Sequence, residues 1–383
     1  MVALTYYRPH ISGLTIYVQR MAESLVKLGH SVTVLTSQYD RRLPRTEVVR
    51  GVRIRRVPVA FRLSKGVIMP TIGVEATSQV LKHDVLSLHL PQFDAAGIAL
   101  RGRLARRPTL LTYHCDLRLP AGVVNRLANV AVGVANRVSV ALAHRIVAYT
   151  QDYALHSPLL SRHLRKVRVI NPPVEVAELD GRKRGPLEGR PMKLGRPVIG
   201  MAARLATEKG VEVLLRALPG ILERHPEAQV LFAGQHEDVL GEAEYARRLA
   251  PQLEGLADHW AFLGVLDPHE MAAFYRMCDV TVLPSLNSTE GFGLVQIESM
   301  ISGTPVVASD LPGVRQPVLM TGMGKVAPVG NSEGLCQAIL EVIEHPASFR
   351  GDPKEIAQRF SPQATAEAYL GLFDELLTKD APR

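Results

Sequence analysis

Short apolar runs alternate with amphipathic stretches along the chain. The apolar runs that predict buried strands lie at 32–36, 85–89, 108–113 and 146–150 in the first half, and at 198–203, 229–233, 280–284 and 305–308 in the second. Between them, apolar residues recur every three or four positions, as at 15–28, 212–222 and 267–277, which predicts helices. Such alternation predicts parallel sheets covered by helices. Because the pattern occurs twice, we expect an α/β protein with two Rossmann-like, doubly wound domains.

The boundary between the two domains is predicted near Asn171-Pro172-Pro173. Two prolines directly after a strand-like segment are typical of a linker. We therefore expect domains at 1–172 and 173–361, and a surface loop at 181–196, which is rich in Gly, Pro, Lys and Arg. Ser361 and Pro362 fit the N-cap and first turn of a final helix.

The composition excludes several classes of protein. Of 383 residues, 46% are apolar and 21% are charged, which argues against disorder, collagen and coiled coil. No apolar run reaches the roughly 18 to 20 residues of a membrane span. No basic segment precedes an apolar core at the N-terminus, so no signal peptide is expected, although a first strand that begins at Met1 leaves a longer native start open. Three widely spaced cysteines predict no metal site and suit a reducing cytoplasm.

Charge is divided unevenly between the two halves. Residues 1–172 carry 25 Lys and Arg against 8 Asp and Glu, whereas residues 173–383 carry 20 against 29. The basic excess, densest at 101–107 and 162–168, predicts an anionic partner such as a membrane surface or a lipid phosphate. The alternative is that these arginines only solvate the domain surface. Nucleic acid is not expected as a partner, because no recognition motif and no interleaved aromatic residues accompany the arginines.

The densest chemical signal lies at 288–298, directly after a predicted strand. Gly291 and Gly293 allow a ligand to approach the backbone closely. A helix that begins near Gly293 directs its free N–H groups at an anion in the loop. Glu290 in the loop and Glu298 about one turn into the helix can accept hydrogen bonds from neighbouring sugar hydroxyls. The segment predicts a site for a ligand with phosphate and hydroxyl groups; a capped helix with surface acids is the alternative.

A second signal follows the strand predicted at 198–203. Arg204 lies at the carboxyl end of that strand, which is the edge where open α/β sheets bind ligands. Arg204 and Lys209 can clamp a diphosphate, the first with its planar guanidinium and the second as a point charge. A turn held by a salt bridge to Glu208 is the alternative.

Two segments of the first half also follow predicted strands. The loop from Tyr6 to Gly13 precedes a helix, so Gly13 is a candidate for an anion or close-approach site. His114 can hydrogen-bond a substrate or transfer a proton, although a partly buried structural histidine is the alternative. For His89, which is placed similarly, we favour the structural role.

Other enzyme classes lack their motifs here. The chain contains no G-x-x-x-x-G-K-[ST], no G-x-G-x-x-G after the first strand, no H-E-x-x-H or Cys/His cluster, and no G-x-S-x-G. These absences argue against P-loop NTPases, dehydrogenases, metalloenzymes and serine hydrolases.

Taken together, the motifs resemble those of the retaining nucleotide-sugar glycosyltransferases of family 4, which share the GT-B fold of two Rossmann-like domains facing a cleft. The matching segments are Glu290-Gly291-Phe292-Gly293 with Glu298, Arg204 with Glu208-Lys209-Gly210, Phe262-Leu263-Gly264, Leu283-Pro284-Ser285, Gly303-Thr304-Pro305, the loop from Tyr6 to Gly13, and Gly29-His30. The two glutamates have seven residues between them, like the paired acids of that family.

The resemblance implies a role for each matching residue. The implied donor-binding residues are Gly13, Arg204, Lys209, Val265, Leu266, Glu290, Phe292, Gly293, Leu294 and Glu298. Arg204 and Lys209 would hold the donor diphosphate, Glu298 the ribose, and Glu290 the sugar. The implied catalytic residues are His114, Glu290, Arg204 and Lys209. The acceptor-side residues would be Tyr7, His10, Asp116 and Arg118.

The implied reaction is the transfer of a hexose from a UDP- or GDP-sugar to an acceptor hydroxyl, with retention at the anomeric carbon and with no metal or other cofactor. The acceptor would be a glycan or a lipid-linked molecule, and the location the cytoplasm or the inner face of the membrane. The helix from Pro362, expected to extend over about 362–383, would pack back on the first domain. Another GT-B activity, such as a glycan phosphorylase or a nucleotide-sugar epimerase, and a non-catalytic sugar-nucleotide-binding subunit are the alternatives.

Overall fold

The computed structural model describes residues 1–63, 66–117, 123–178 and 195–379, so nearly all of the loop predicted at 181–196 lies outside the described residues. In chain order, the strands are β1 Val2–Ala3, β2 Thr33–Gln38, β3 Thr46–Val49, β4 Val52–Pro58, β5 Phe61–Leu63, β6 Gly66–Ile68, β7 Leu86–Leu90, β8 Thr109–Tyr113, β9 Arg145–Ala148, β10 Val167–Val169, β11 Val198–Ala202, β12 Gln229–Ala233, β13 Trp260–Gly264, β14 Val280–Leu283, β15 Val306–Ser309 and β16 Gly324–Ala327.

The helices alternate with these strands. They are α1 Gly13–Lys27, α2 Ile72–Lys82, α3 Ala95–Leu104, α4 Val123–Leu142, α5 Gln151–His156, α6 Val211–Arg224, α7 Ala243–Glu254, α8 Pro268–Met277, α9 Leu294–Ile301, α10 Gln316–Thr321, α11 Ser332–Glu344, α12 Pro353–Arg359 and α13 Pro362–Lys379. The chain divides into two units: unit 1 is Met1–Pro173 with Phe360–Arg383, and unit 2 is Val174–Arg359.

Unit 1 is built on an eight-stranded sheet in the order β10-β9-β8-β7-β1-β2-β4-β3. All its strands are parallel except β3, which pairs antiparallel with β4. The connection between β3 and β4 is Arg50-Gly51, and both residues have positive φ, of 49° and 80°. Two-residue hairpin turns favour this geometry, usually with Asn or Asp in the first position. Because Arg50 occupies that position, the usual sequence signal for this hairpin is absent.

The helices of unit 1 begin and pack for identifiable local reasons. Helix α1 begins after Ser12, whose Oγ accepts a hydrogen bond from the N–H of Thr15 at 3.2 Å. Helix α13 packs against α1. Its fully buried Tyr369 hydroxyl lies 2.8 Å from the Tyr17 hydroxyl and 2.6 Å from Thr112 Oγ1. A polar cluster therefore ties the last helix to α1 and β8 inside unit 1.

Unit 2 contains a six-stranded, fully parallel sheet in the order β13-β12-β11-β14-β15-β16. Helices α6 and α11 pack together on one of its faces, around a core that includes Leu214, Phe232 and Ile339. Helix α8 begins with a capping box, in which Asp267 accepts from the N–H of Glu270 and the Glu270 carboxylate accepts from the N–H of Asp267.

The predicted fold class is confirmed, since both units contain parallel sheets with helices between the strands. All eight apolar runs correspond to strands, with bounds that differ by one or two residues at several ends. Strands β3, β4, β5, β6, β13 and β16 were not predicted. Strand β13 lies at the edge of its sheet, and its middle residues Ala261 and Phe262 are only half-buried although its sequence contains no polar residue.

Candidate active site

In unit 2, the strand order reverses between β11 and β14, and the two predicted motif loops follow these strands. Ligands of open α/β sheets bind at such a reversal, beyond the carboxyl ends of the strands. The loops contact each other directly, because the N–H of Leu286 donates to the carbonyl of Glu208 at 3.0 Å. Gly210, with φ of +68°, lies so close to this loop that an added Cβ would be 2.0 Å from the carbonyl oxygen of Pro284. The fold therefore brings the two motifs into one site.

An ion pair joins the two loops. Lys209 Nζ lies 2.6 Å from Glu290 Oε2, and the two side chains are 19% and 17% exposed. Both residues were predicted to contact the ligand, one through its cation and the other through its carboxylate. Because the pair is largely shielded from water, the removal of one partner leaves a poorly solvated charge on the other.

Arg204 lies just beyond the end of β11 on the same loop. Its guanidinium donates to Glu208 at 3.1 Å, so the salt-bridged turn considered as an alternative is present. The side chain is exposed on its other faces. The Arg204 side chain is 46% exposed and that of Glu208 only 13%, so the guanidinium is the member of the pair that a ligand can reach.

Helix α9 begins where the sequence predicts. Its N-cap is Gly293, with φ of +83°, and no side chain caps the helix. The first N–H groups of a helix have no partner within the helix and carry the positive end of its dipole. Glu298 lies in the second turn and accepts a hydrogen bond from the Tyr275 hydroxyl at 3.0 Å. Phe292 is buried, which anchors the glycine-rich loop.

The loop after β13 carries Val265 and Leu266. Val265 is exposed, whereas Leu266 packs against the core of unit 2. The ring of Phe262 at this edge stacks on the ring of His236, with centroids 4.3 Å apart and planes at 12°. Sequence reasoning missed His236. Its position directly beyond the end of β12, next to β13 in the sheet, is the signal that could have found it.

In unit 1, His114 lies directly after β8 and is buried among polar side chains. Its Nε2 lies 2.9 Å from His89 Nδ1, and its Nδ1 is hydrogen-bonded to the Tyr149 hydroxyl. His89 Nε2 lies 3.3 Å from Ser87 Oγ, so Ser87, His89, His114 and Tyr149 form one hydrogen-bonded chain. The ring of Tyr17 packs edge-on against His114 at 5.0 Å. Both ring nitrogens of His114 therefore have partners inside unit 1.

Burial sets the protonation of this chain. Desolvation lowers the pKa of His114 to about 3. Desolvation, followed by the influence of His114, holds the pKa of His89 well below its usual value. Both rings are neutral at physiological pH, and each carries a single N–H. His114 is therefore suited to accept or donate one neutral hydrogen bond rather than to act as a cationic acid.

His89 differs from its expected role in one respect. It is fully buried, as a structural histidine would be, but its Nδ1 is also hydrogen-bonded to His114 Nε2, which helps to orient the His114 ring. The contact between His89 and His114 could have been predicted from the sequence, because β7 and β8 are consecutive parallel strands. His89 pairs in register with Thr112, which places His89 and His114 at the same edge of the sheet.

The other predicted residues of unit 1 occupy different environments. Gly13 is the exposed first residue of α1, and an added Cβ would meet nothing within 4 Å, so packing does not require glycine there. Tyr7 is buried, and desolvation raises the pKa of its hydroxyl. The ring of His10 stacks on Tyr6 with centroids 4.9 Å apart. Arg118 lies outside the described residues.

Asp116 is held by hydroxyl groups of unit 1. Its Oδ1 accepts from the Tyr113 hydroxyl at 2.8 Å and from Ser157 Oγ at 3.0 Å, and its Oδ2 accepts from the Tyr153 hydroxyl at 3.0 Å. This carboxylate therefore organises the loop after β8, and its contact with an acceptor stays a prediction.

Two features of the described residues bear on the class of site. No group of three or more His, Cys, Asp and Glu residues in that part of the chain is placed to hold a metal ion. No helix within it is long and apolar enough to cross a membrane. Cys115, Cys278 and Cys336 are free thiols, and burial raises the pKa of Cys278.

Models of two known protein families match the chain, one in each unit. Residues 188–365 match the family model of Glycosyl transferases group 1, and residues 12–173 match that of the Glycosyl transferase 4-like domain. Phosphatidyl-myo-inositol mannosyltransferase from Mycobacterium tuberculosis is 30% identical over 351 residues, which cover 87% of this chain and 84% of that protein.

Solved structures share the fold. Sucrose-phosphate synthase from Thermosynechococcus elongatus superposes with a TM-score of 0.74 at 20% identity, covering 99% of this chain and 98% of the other. HepE from Anabaena, in complex with UDP-glucose, superposes with a TM-score of 0.72 at 18% identity, covering 98% and 99%. These matches extend over both units. The chain therefore belongs to the family-4-like glycosyltransferases of the GT-B fold.

Proposed function

We propose that this glycosyltransferase moves a sugar from a nucleoside diphosphate to an acceptor hydroxyl with retention at the anomeric carbon and without a metal ion. The observation that carries the proposal is the Lys209–Glu290 pair beside the N-terminus of α9, at the strand-order reversal of unit 2. The cation and the helix N-terminus match the diphosphate of the donor, and the carboxylate matches the hydroxyls of its sugar.

The diphosphate leaving group is assigned to the cations. A diphosphate competes with Glu290 for Lys209 and with Glu208 for Arg204, because it carries more charge than either carboxylate. The two cations and the first N–H groups of α9 then stabilise the negative charge that grows on the departing phosphate. This is the charge that a bound metal ion supplies in other transferases, which is why we assign no metal to the reaction.

The remaining donor groups are assigned to neighbouring residues. Glu290, released from Lys209, accepts hydrogen bonds from the sugar hydroxyls. Glu298, already oriented by the Tyr275 hydroxyl, accepts from the ribose hydroxyls. The backbone at Val265 and Leu266 meets the base. We favour UDP- or GDP-sugars as donors; the Anabaena neighbour was solved with UDP-glucose.

Retention is assigned to attack on the face of the sugar that the diphosphate leaves. The sugar passes through an oxocarbenium-like state, and the departing phosphate oxygen accepts the proton of the acceptor hydroxyl. His114 is too weak a base at neutral pH to take that proton, since burial lowers its pKa to about 3. We assign it a neutral hydrogen bond to substrate, made by exchanging its bond to Tyr149.

The acceptor is assigned to unit 1, where we place Tyr7, His10 and Asp116 on the acceptor side. The 25 basic against 8 acidic residues of 1–172 favour an anionic or lipid-linked acceptor at the cytoplasmic face of a membrane. The Mycobacterium tuberculosis relative is named for a phosphatidyl-myo-inositol acceptor, which supports this choice.

The test combines donor hydrolysis with single variants. UDP-, GDP- and ADP-sugars are first screened by thermal shift and by hydrolysis without acceptor, in buffer with and without EDTA. For the donor that is turned over, we expect Arg204→Ala and Lys209→Met to lower turnover about a hundredfold or more, the scale of one lost charge-stabilising donor. Arg224→Ala is the matched control, because it removes an exposed cation from a salt bridge to Glu344 elsewhere in unit 2.

Near-normal turnover in the Arg204 and Lys209 variants would refute the diphosphate assignment. Donor binding without hydrolysis or transfer would favour the non-catalytic subunit. Loss of activity in EDTA would overturn metal independence, and an inverted anomer in the NMR spectrum of the product would overturn retention.

A further inference from the structure

Helix α4 presents an apolar stripe to the outside of unit 1. Val130, Val134 and Val138 are 62%, 51% and 42% exposed. Their spacing of four residues places them one above another on the same face of the helix. We call these three residues the valine stripe. Ala131 and Ala141 are exposed beside it, and Arg137 is the charged residue of this face within 129–142, where side chains are described.

The opposite face of α4 is buried and mixes apolar with polar residues, since Val132 and Val140 lie there as well. Asn136 and Ser139 are buried against the rest of unit 1. Ser139 Oγ donates to the carbonyl of Ala135 at 2.7 Å. A helix whose outer face meets only water usually carries polar residues there, whereas α4 has valines on both its buried and its exposed face. Valine is also a weaker helix former than the residues usual on exposed helices. The valine stripe is therefore unfavourable unless another apolar phase covers it.

Cations gather at the C-terminal end of this helix. Lys166 Nζ donates to the carbonyls of Val140, Ala141 and Ala143 at 3.1, 2.9 and 2.9 Å. The Arg103 guanidinium lies 2.8 Å from His144 Nε2. No acidic residue occurs in the sequence between Asp116 and Asp152. The valine stripe thus runs along a helix without carboxylates toward a cationic end.

Helix α3 extends the same character. It packs against α4, and its Leu100 and Leu104 are exposed. Arg106 on the turn that follows it is exposed as well. Two neighbouring helices of unit 1 therefore both expose apolar side chains, with a cation close by.

The charge identifies the partner. A second copy that paired through the same face would bring two strongly basic units together, and the repulsion between like charges opposes such symmetric self-association. An anionic bilayer offers phosphate groups for the cations and a hydrocarbon boundary for short side chains such as valine. We propose that the outward face of α4, with the cations at its C-terminal end, docks on an anionic lipid bilayer. This inference rests on the proposed function in one respect, which is the assignment of the acceptor to the face of a membrane.

The experiment is sedimentation of the full chain with vesicles. One set contains phosphatidylcholine with about a third phosphatidylglycerol, and the other contains phosphatidylcholine alone. The test variant combines Val130→Thr with Val134→Thr, which keeps side-chain shape and adds hydroxyls. The matched control combines Val48→Thr with Val329→Thr, two exposed valines elsewhere. Donor hydrolysis in solution is measured for every protein.

We expect binding to the anionic vesicles that weakens in high salt, and an affinity about tenfold lower for the test variant than for the control, equivalent to about 1.4 kcal/mol of apolar burial. Donor hydrolysis should be equal in all three proteins. Equal vesicle affinity of test variant and control, equal binding to both vesicle types, or no binding at all would overturn the docking surface.

Size-exclusion chromatography with light scattering tests whether a second copy of the chain occupies this face instead of a bilayer. A dimer that the test variant alone converts to a monomer would overturn the bilayer in favour of a second copy. If the unmodified chain hydrolyses no donor, that result instead counts against the proposed function. The vesicle result can then still be interpreted by itself, because it does not depend on donor hydrolysis.

Discussion

Gly293 is the position where a single methyl group should damage the candidate site most cleanly. It is the N-cap of α9, with φ of +83°. An added Cβ would lie 2.3 Å from Leu283 Cδ2 and 2.8 Å from Gln296 Nε2. Neither neighbour moves easily, because Leu283 is a buried strand residue and Gln296 Nε2 donates to the carbonyls of Phe292 and Val314 at 2.7 and 2.9 Å.

The expected cost of Gly293→Ala has two parts. A non-glycine residue with left-handed φ loses about 1–2 kcal/mol. Overpacking of a close-packed site costs about 1–3 kcal/mol more. The free energy of unfolding should therefore fall by about 2–5 kcal/mol. Gly303→Ala is the matched control at the other end of α9: its φ is +90°, but an added Cβ meets nothing within 4 Å. It should lose only the backbone part, about 1–2 kcal/mol.

The assay is urea unfolding of both variants, followed by donor binding at a temperature where both are folded. Gly293→Ala displaces the N-terminus of α9 from the diphosphate, so we expect donor affinity to fall about tenfold, which corresponds to one weakened charge-assisted hydrogen bond. Gly303→Ala should bind the donor like the unmodified chain. Equal unfolding free energies and equal donor affinities for the two variants would show that the close contacts at Gly293 do not shape the site.

Three further predictions concern single side chains. Glu298→Ala should raise KM more than it lowers kcat, because ribose contacts change little in the reaction, whereas Glu290→Ala should do the reverse; identical defects in steady-state kinetics would contradict this division. Tyr369→Phe removes a buried hydroxyl shared by two partners, so denaturant unfolding should show a loss of about 1–3 kcal/mol, and an unchanged midpoint would argue against the polar cluster as an anchor of α13. Burial lowers the pKa of His114 from 6.5 to about 3, so between these pH values the unfolded chain binds more protons and stability falls as pH drops; His114→Gln should flatten that slope, measured by unfolding from pH 7 to pH 4, and an unaltered slope would contradict the buried neutral state.

The elements of this fold were largely determined by local sequence pattern. A strand buried on both faces requires a continuous apolar run, and a helix that covers a sheet requires apolar residues every three or four positions. Both requirements are visible within a window of a few residues, so the parallel α/β class and the loops that carry Arg204, Lys209 and Glu290 could be predicted. The β3–β4 hairpin was not predicted, because its turn has Arg50 at the position where Asn or Asp is the usual sequence signal.

Only the tertiary structure decided which of these residues meet. Lys209 and Glu290 are 81 positions apart, and they pair because β14 adds to the sheet beside β11 rather than beside β13. His89 and His114 are 25 positions apart, and their rings are hydrogen-bonded to each other because their strands are neighbours in the sheet. The valine stripe was likewise settled by packing, since α4 carries valines on two faces and its sequence does not specify which of them turns inward. Strand order and helix orientation depend on contacts between distant segments, and no local pattern encodes them.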